Sequence, residues 1–250
     1  MSTQQTVFIS DLHLSEDTPA LNQLFFQALN NWQGKIDALY ILGDFFDVWV
    51  GDDDDSPFIQ SVIRALQQFS ATTPVYLMHG NRDFLLGDAF AQAAGVHLLP
   101  EQHSIELYGK PYLLLHGDEL CTDDLAYQQF RLQSRNPLWQ GAVLMKPLAE
   151  RKLLAGQIRM MSETKKNAEG LSQISDATEA GVHAALTQAL AKTGTLPILI
   201  HGHTHRPNQH EHIVNGIRTQ RYVLQDWEGE QGGYLLVDAN HHIQAFDLTL

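Results

Sequence analysis

Short apolar runs recur along the chain, and five of them stop at residues able to bind a metal ion. Residues 7–9 precede Asp11 and His13, residues 39–42 precede Asp44, residues 75–78 precede Asn81, residues 112–115 precede His116, and residues 198–200 precede His203 and His205. Runs of this length and branched content predict buried strands. In open parallel sheets the ligand crevice lies at the carboxyl ends of the strands. We therefore expect these seven side chains to converge on one edge.

Segments with helical spacing separate the first strands, at residues 21–32, 58–69 and 90–94. This alternation favours a layered α/β fold with sheet between helices. After His116 about eighty residues pass before the next strong strand, which is too long for a plain loop. We predict an inserted set of helices there, at about residues 122–170, then a helix over 177–191. Closing strands are predicted at residues 222–224, 234–237 and 243–248.

Composition is that of a single large domain spanning residues 1–250, since 44% of them are hydrophobic. The N-terminus carries no targeting pattern and no window approaches the roughly 18 apolar residues of a membrane span, so we expect a cytoplasmic protein. The single cysteine, Cys121, excludes an internal disulfide framework and a multi-cysteine zinc site. Any metal must be held by His, Asp and Asn.

Charge is distributed unevenly. The net charge of −13 argues against nucleic-acid binding, which needs clustered Lys and Arg. Between Arg131 and Lys166, however, eight of the sixteen basic residues face only Glu150 and Glu163. Basic helices with interleaved apolar residues are typical of membrane surfaces, and the alternative is a solvated face over an ordinary helix pair.

The residues at the strand ends suit metal chemistry. Asp11 and His13 are two apart, so in extended chain their side chains point the same way. The two oxygens of Asp44 could bridge two cations, and mixed nitrogen and oxygen ligands suit Mn, Fe, Zn, Ni or Co. Each short motif alone is weak, because Gly-Asp is an ordinary turn pair. All five in order are far harder to explain without a metal site.

These ordered motifs resemble the binuclear metallophosphoesterases of calcineurin type: Asp11-Leu-His13, Gly43-Asp44, Gly80-Asn81, His116-Gly117 and Gly202-His203-Thr-His205. The resemblance implies an α/β/β/α sandwich with an inserted helical cap, and two divalent ions, expected to be Mn²⁺. It implies that Asp44 bridges, that Asp11, His13 and His205 hold one ion, and that Asn81, His116 and His203 hold the other. His201 is left outside. Two such ions can activate water and stabilise an in-line displacement at phosphorus.

One residue departs from the family pattern. Many members carry His or an acid where this chain has Arg82 after Gly80-Asn81. A missing proton donor is tolerable if the leaving group is itself a phosphate, and the planar guanidinium of Arg82 suits phosphate oxygens. The resemblance implies catalytic roles for Asp44, Asn81 and Arg82.

Longer stretches narrow the resemblance to members that cleave a diacylated sugar nucleotide: residues 41–47, 50–54, 79–87, 115–124 and 200–207. They imply hydrolysis of UDP-2,3-diacylglucosamine at its α-phosphorus, giving UMP and 2,3-diacylglucosamine 1-phosphate (lipid X) in lipid A biosynthesis. Implied substrate contacts are Asn81, Arg82, Asp124, Tyr127, Arg159, Ser162, Lys165, Lys166 and His203. The cap would then take the acyl chains and associate peripherally with the anionic cytoplasmic face of the inner membrane.

Two rival functions remain open. A soluble nucleotide pyrophosphatase or cyclic-nucleotide phosphodiesterase on the same scaffold would need no basic, apolar insertion. A non-catalytic interaction scaffold would be expected to have lost ligands, whereas all seven are present. Neither nucleic acid nor a protein partner is expected, and we interpret the acidic run 52–55 as a solvated turn.

Overall fold

The computed structural model describes residues 4–169 and 176–250, with the backbone alone between 161 and 169. The strands are β1 (Gln5–Ile9), β2 (Ala38–Leu42), β3 (Val75–Met78), β4 (His97–Leu99), β5 (Gln102–Leu107), β6 (Lys110–Leu115), β7 (Ile198–His201), β8 (Asn208–Val214), β9 (Ile217–Val223), β10 (Gln231–Asp238) and β11 (Ile243–Thr249). The helices are α1 (Pro19–Trp32), α2 (Pro57–Ser70), α3 (Asp88–Ala94), α4 (Leu125–Ser134), α5 (Pro137–Leu144), α6 (Leu148–Glu169) and α7 (Glu179–Thr193).

The strands form two sheets. One has the order β11-β10-β1-β2-β3-β4 and the other the order β5-β6-β7-β9-β8. Strands β1 to β4 run parallel in the first sheet, with β4 at its edge, and β6, β7 and β9 run parallel in the second. The five strands that precede the candidate ligands are therefore divided between two sheets, and do not share the single sheet edge that the periodicity alone predicted.

Alternation of side chains along the strands produces three apolar layers. In β1, Val7 packs towards helices α1 to α3, whereas Phe8 faces the second sheet. In β6, Tyr112 faces the first sheet and Leu113 packs towards α7. The order of layers is thus helix, sheet, sheet, helix, which confirms the predicted α/β/β/α sandwich.

Three strands were not predicted from the sequence, and all three lie at sheet edges. β4 and β8 are edge strands, and β5 is the other edge of the second sheet. β5 and β8 are only partly buried, and β8 carries polar residues at most positions. An antiparallel edge strand with one wet face lacks the continuous apolar run that marks a doubly covered strand.

The insertion is helical over its described residues, as predicted, and five of its basic residues form ion pairs outside the insertion. They pair with acids of the core: Arg131 with Asp118, Arg135 with Glu101, Arg151 with Asp53, Lys152 with Asp54, and Arg159 with Asp47. Residues 52–55 include a turn at 52–53 with Asp53 and Asp55 exposed, as interpreted from the sequence, and two of its acids also pair with the cap. Over the described ranges, no helix has both the length and the hydropathy needed to cross a membrane.

Candidate metal centre

The candidate ligands lie together at the facing ends of the two sheets. His205 Nε2 is 3.6 Å from Asp11 Oδ1, and the rings of His13 and His205 are 5.5 Å apart. The ligand atoms of these three residues all lie within 4.8 Å of one another, close enough to hold one ion. Asp11, Asp44 and His116 form a second such group, and the Asp11 carboxylate is common to both groups.

The remaining candidates lie beside the second group. His116 Nε2 is 3.7 Å from Asp44 Oδ1 and 3.0 Å from the side-chain oxygen of Asn81. The ring of His203 meets that of His116 edge-on, with centroids 5.0 Å apart. His201 does not join them, because its ring nitrogens pair with the Gly202 carbonyl and with Arg221.

Five of these side chains are aimed into the site by an unusual backbone. Asp11, His13, Asp44, His203 and His205 all have positive φ angles, of 56°, 50°, 50°, 68° and 53°. This left-handed region is uncommon for residues with a Cβ, and such backbone strain concentrates at functional sites. The turns redirect side chains that extended strands would have sent to the two faces of a sheet.

Hydrogen bonds join the ligand loops to one another. The backbone N–H of His203 donates to Asp11 Oδ2 at 2.8 Å, and the N–H of Gly202 donates to the His116 carbonyl at 2.8 Å. Position 80 requires a glycine because its backbone lies close to Asp44: a Cβ there would lie 2.1 Å from Asp44 Oδ1. The loops of the two sheets thus form one connected unit.

Unpartnered buried atoms test whether these residues fit a cation. Asp11 Oδ1 and His13 Nδ1 are buried without a hydrogen-bond partner among the described residues. A buried polar atom without a partner is destabilising by about 1–3 kcal/mol, and both are potential metal ligands. The donor set of carboxylate, imidazole and amide oxygen matches the ligands of divalent transition metals, so the residues fit such ions.

The electrostatics are those of a site with charges packed closely together. Burial opposes ionisation of Asp11, but the close approach of His205, at 3.6 Å, and the nearby His116 and His13 hold its pKa well below the usual range. Burial also opposes charge on His116, yet Asp44 and Asp11 raise its pKa to about 9. His205 is raised in the same way, to a pKa of about 10, despite burial, by Asp11 and Asp226. Burial dominates at Asp44 and raises its pKa to about 7.

Burial lowers the pKa of the other two histidines. Desolvation lowers the pKa of His13 to about 3 and that of His203 to about 4. Both rings are therefore neutral at pH 7, which is the state in which imidazole binds a metal.

Three carboxylates that the sequence analysis missed support the ligands. Asp83 accepts from the N–H of Phe45 at 2.8 Å and of Gly80 at 2.7 Å, which joins the loops after β2 and β3. Asp226 lies 3.0 Å from His205 Nδ1, and Asp118 follows His116 by two residues. Asp83 and Asp118 stand within the recognised motifs, so motif position was the signal that could have found them.

The predicted substrate contacts surround the site. Arg82 Nη1 is 3.6 Å from Asp47 Oδ1, and Arg159 pairs with the other oxygen of Asp47. The hydroxyl of Tyr127 donates to Asp118, and its ring stacks on that of His203 with centroids 6.0 Å apart. Asp124 caps α4 by accepting from the Tyr127 N–H at 3.0 Å. The side chains of Ser162, Lys165 and Lys166 lie outside the described residues.

A two-sheet sandwich with clustered histidines and carboxylates at its strand ends is the architecture of a metal-dependent phosphoesterase, and residues 5–207 of the chain match the calcineurin-like phosphoesterase family, to which the chain belongs. It is 56% identical to the UDP-2,3-diacylglucosamine hydrolase of Chromobacterium violaceum, over 92% of this chain and 94% of that protein. It is 48% identical to the protein of that name from Cellvibrio japonicus, over 89% and 90% of the two chains. Identity to the Coxiella burnetii (strain RSA 493 / Nine Mile phase I) protein of that name is 42%, over 99% and 100%.

Proposed function

We propose that this chain hydrolyses the pyrophosphate bond of UDP-2,3-diacylglucosamine, giving UMP and 2,3-diacylglucosamine 1-phosphate (lipid X) in lipid A biosynthesis. The observation that carries the proposal is the convergence of seven ligand-type side chains beside Arg82, which suits an anionic substrate with a phosphate leaving group. The names of relatives 42–56% identical to this chain support the substrate. We also propose that residues 1–250 form one domain with the cap at about 122–170.

Two divalent ions, Mn²⁺ in our proposal, would be held by residues of both sheets. Asp11, His13 and His205 would hold one ion; Asn81, His116 and His203 would hold the other; Asp44 would bridge. When bound, the ions would activate a water molecule and neutralise phosphate oxygens. The unpartnered Asp11 Oδ1 and His13 Nδ1 support the first set, and the contacts of His116 with Asn81 and His203 support the second.

Asp47 would hold the two phosphate-binding arginines in position. Its carboxylate is buried, and it pairs with both Arg82 and Arg159. Two guanidinium groups on one carboxylate leave a net positive charge next to the metal centre. That arrangement would bind and orient the pyrophosphate, which needs no proton donor on the leaving side because a sugar phosphate departs as a stable anion.

Tyr127 and Asp124 would contact the headgroup from α4. The hydroxyl proton of Tyr127 is held by Asp118, and burial together with that carboxylate raises the Tyr127 pKa far above its usual range. The phenol therefore stays neutral and presents its ring to the site beside His203. Its expected role is to orient substrate; it would not transfer a proton.

The cap supports an acylated substrate and a membrane surface through its apolar residues. Leu132, Leu138, Met145, Leu153 and Met160 are between 64% and 85% exposed. Exposed apolar residues in such number mark an interaction surface. We propose that this surface receives the acyl chains and associates with the cytoplasmic face of the inner membrane. The basic residues Arg151 and Lys152 contribute less, because they pair with the core.

Product identification in isotopically labelled water tests the reaction. With Mn²⁺ and the acylated substrate, we expect the label in UMP, which requires attack at the α-phosphorus. Asp44→Ala should abolish turnover, whereas Asp17→Ala, at an exposed position, should not. Equal turnover of UDP-glucose, which lacks acyl chains, would refute the lipid substrate and favour a nucleotide pyrophosphatase. Label in the sugar phosphate would refute attack at the α-phosphorus.

Liposome binding tests the membrane proposal. The double variant Leu138→Ser with Met145→Ser should bind anionic liposomes more weakly, because it removes two of the most exposed apolar side chains of the cap. Arg151→Met is the matched control: Arg151 is only 4% exposed, so its charge does not reach a membrane. Weaker binding by Arg151→Met alone would contradict the apolar interpretation.

A further inference from the structure

Arg221 is a buried arginine behind the metal centre that pairs with histidines and not with an acid. It lies on β9 and is 7% exposed. Its Nη1 donates to His201 Nε2 at 3.0 Å and its Nε donates to His212 Nε2 at 3.2 Å. Among the described residues, no carboxylate forms an ion pair with it. Asp176 and Glu179 attract the charge without pairing with it, and burying a charge that has no directly paired acid is unfavourable, so its two hydrogen bonds to imidazoles require an explanation.

The arginine fixes which nitrogen of each histidine carries the proton. A guanidinium can only donate, so the Nε2 atoms of His201 and His212 must both accept. Each neutral ring then carries its proton on Nδ1. His201 Nδ1 consequently donates to the Gly202 carbonyl, 2.8 Å away. Desolvation by burial, with Arg221 second, lowers the pKa of His201 to about 3, which agrees with a neutral ring.

His201 lies between two loops that carry candidate ligands. A Cβ on Gly117, the residue after His116, would lie only 2.6 Å from His201 Nδ1. Gly202, whose carbonyl His201 holds, donates its N–H to the His116 carbonyl at 2.8 Å. The next residue, His203, has the left-handed φ of 68°. The His201 ring thus fixes the spacing of the loops that present His116 and His203.

At the other end of the arginine, a second histidine cluster reaches the surface. Glu179, His183 and His212 are close enough to hold a metal ion. However, Nε2 of His212 accepts from Arg221, so its Nδ1 keeps the proton and faces Glu179 Oε1 at 3.7 Å. A proton on the nitrogen that would bind the ion opposes a metal there. The cluster instead anchors the arginine to α7.

We propose that Arg221 is a positioning residue that acts through His201 to set the affinity of the ion held by His116 and His203. Arg221 fixes the His201 ring, and the ring holds the two ligand loops at their working distance. This inference rests on the metal centre proposed above. It predicts that the ion held by His116 and His203 responds more strongly when Arg221 is changed, because His201 contacts the His116 loop directly and reaches the Asp11 and His13 loop only through the His203 N–H.

Binding of Mn²⁺ to the metal-free protein, followed by calorimetry and by electron paramagnetic resonance, tests the proposal without any assay of activity. In Arg221→Met we expect one ion to bind about 10–100-fold more weakly, the range typical for loss of a residue that orients a ligand. The spectrum at limiting Mn²⁺ should then be that of an isolated ion, where the wild type gives a coupled pair. Arg221→Lys keeps the charge but carries it on one nitrogen, where arginine uses both Nε and Nη1, so its affinity for this ion should lie between those of Arg221→Met and the wild type.

The matched control is Arg218→Met, because Arg218 is on the same strand but 72% exposed and paired with Glu211. Its two affinities should equal those of the wild type. Wild-type affinity at both ions in Arg221→Met, or equal weakening at both, would overturn the proposal. If Arg221→Met does not fold, the same criteria apply to Arg221→Lys. Binding of fewer than two ions by the wild type would instead refute the proposed metal centre.

Discussion

Asp118→Asn should destabilise the protein more than its position next to a metal site suggests, because Asp118 joins the cap to the core. Its side chain is 2% exposed, and those of Arg131 and Arg135 are 15% and 13% exposed, so solvent screening is weak. Asp118 Oδ2 is 3.0 Å from Arg131 Nε and 3.6 Å from Arg135 Nη2. Breaking a buried pair from one side costs about 3–5 kcal/mol. Since both arginines retain Glu101, we expect the lower end, about 3 kcal/mol.

Urea unfolding of the metal-free protein, followed by far-ultraviolet circular dichroism, measures this free energy. Glu101→Gln is the matched control, because it removes the other carboxylate from the same arginines at a site that is 39% exposed. A loss below about 1 kcal/mol is expected there. Equal losses in the two variants would refute the reasoning, as would a loss below about 1 kcal/mol in Asp118→Asn.

The contribution of Asp118 to the free energy of unfolding depends on pH. Burial opposes ionisation of Asp118, but His116, His203 and the two arginines hold its pKa below the usual range. A carboxyl whose pKa is depressed on folding stabilises the protein above its unfolded value of about 3.9, and that stabilisation is lost as the pH falls through the folded value. The difference between wild type and Asp118→Asn should therefore persist at neutral pH and shrink only in acid.

Two further predictions concern the metal centre. Gly80→Ala should weaken Mn²⁺ binding by at least about tenfold, because the new Cβ would lie 2.1 Å from Asp44 Oδ1; Gly141→Ala, with no atom within 4 Å, should bind normally. Metal binding should also release protons, since the pKa values of His116 and His205 are raised to about 9 and about 10 by facing carboxylates. Affinity should then increase as the pH rises towards those values, and calorimetric enthalpies that do not depend on the buffer would contradict this.

The central strands could be predicted from the sequence because both of their faces are covered. A strand such as β2 is buried at all five positions, so it reads as a continuous apolar run. β8 has one exposed face and gives no such run. Periodicity also could not divide the strands between two sheets, because the partner of each face is chosen by tertiary packing. The resemblance to a known family supplied the second sheet.

The candidate site also contains residues that the sequence predicts and residues that it does not. Its ligands stand in short motifs after strands, and the structure brings them together. The residues that support them are distant in the chain: Asp226 supports His205, and Arg221 reaches His201 from another strand. The ion pairs of the cap were equally inaccessible, because Arg151 and Asp53 are 98 residues apart and nothing in either local sequence specifies the other.

The positive φ angles at five candidate ligands have a consequence for how the metal centre is assembled. They are fixed by hydrogen bonds between the protein's own loops, such as that from the His203 N–H to Asp11. The ligand loops are therefore held in position by the protein itself, and they do not need to fold around a metal. Chelation should leave the fold intact, reloading should need no refolding, and the rate of metal uptake should depend on how fast the incoming ion sheds its water.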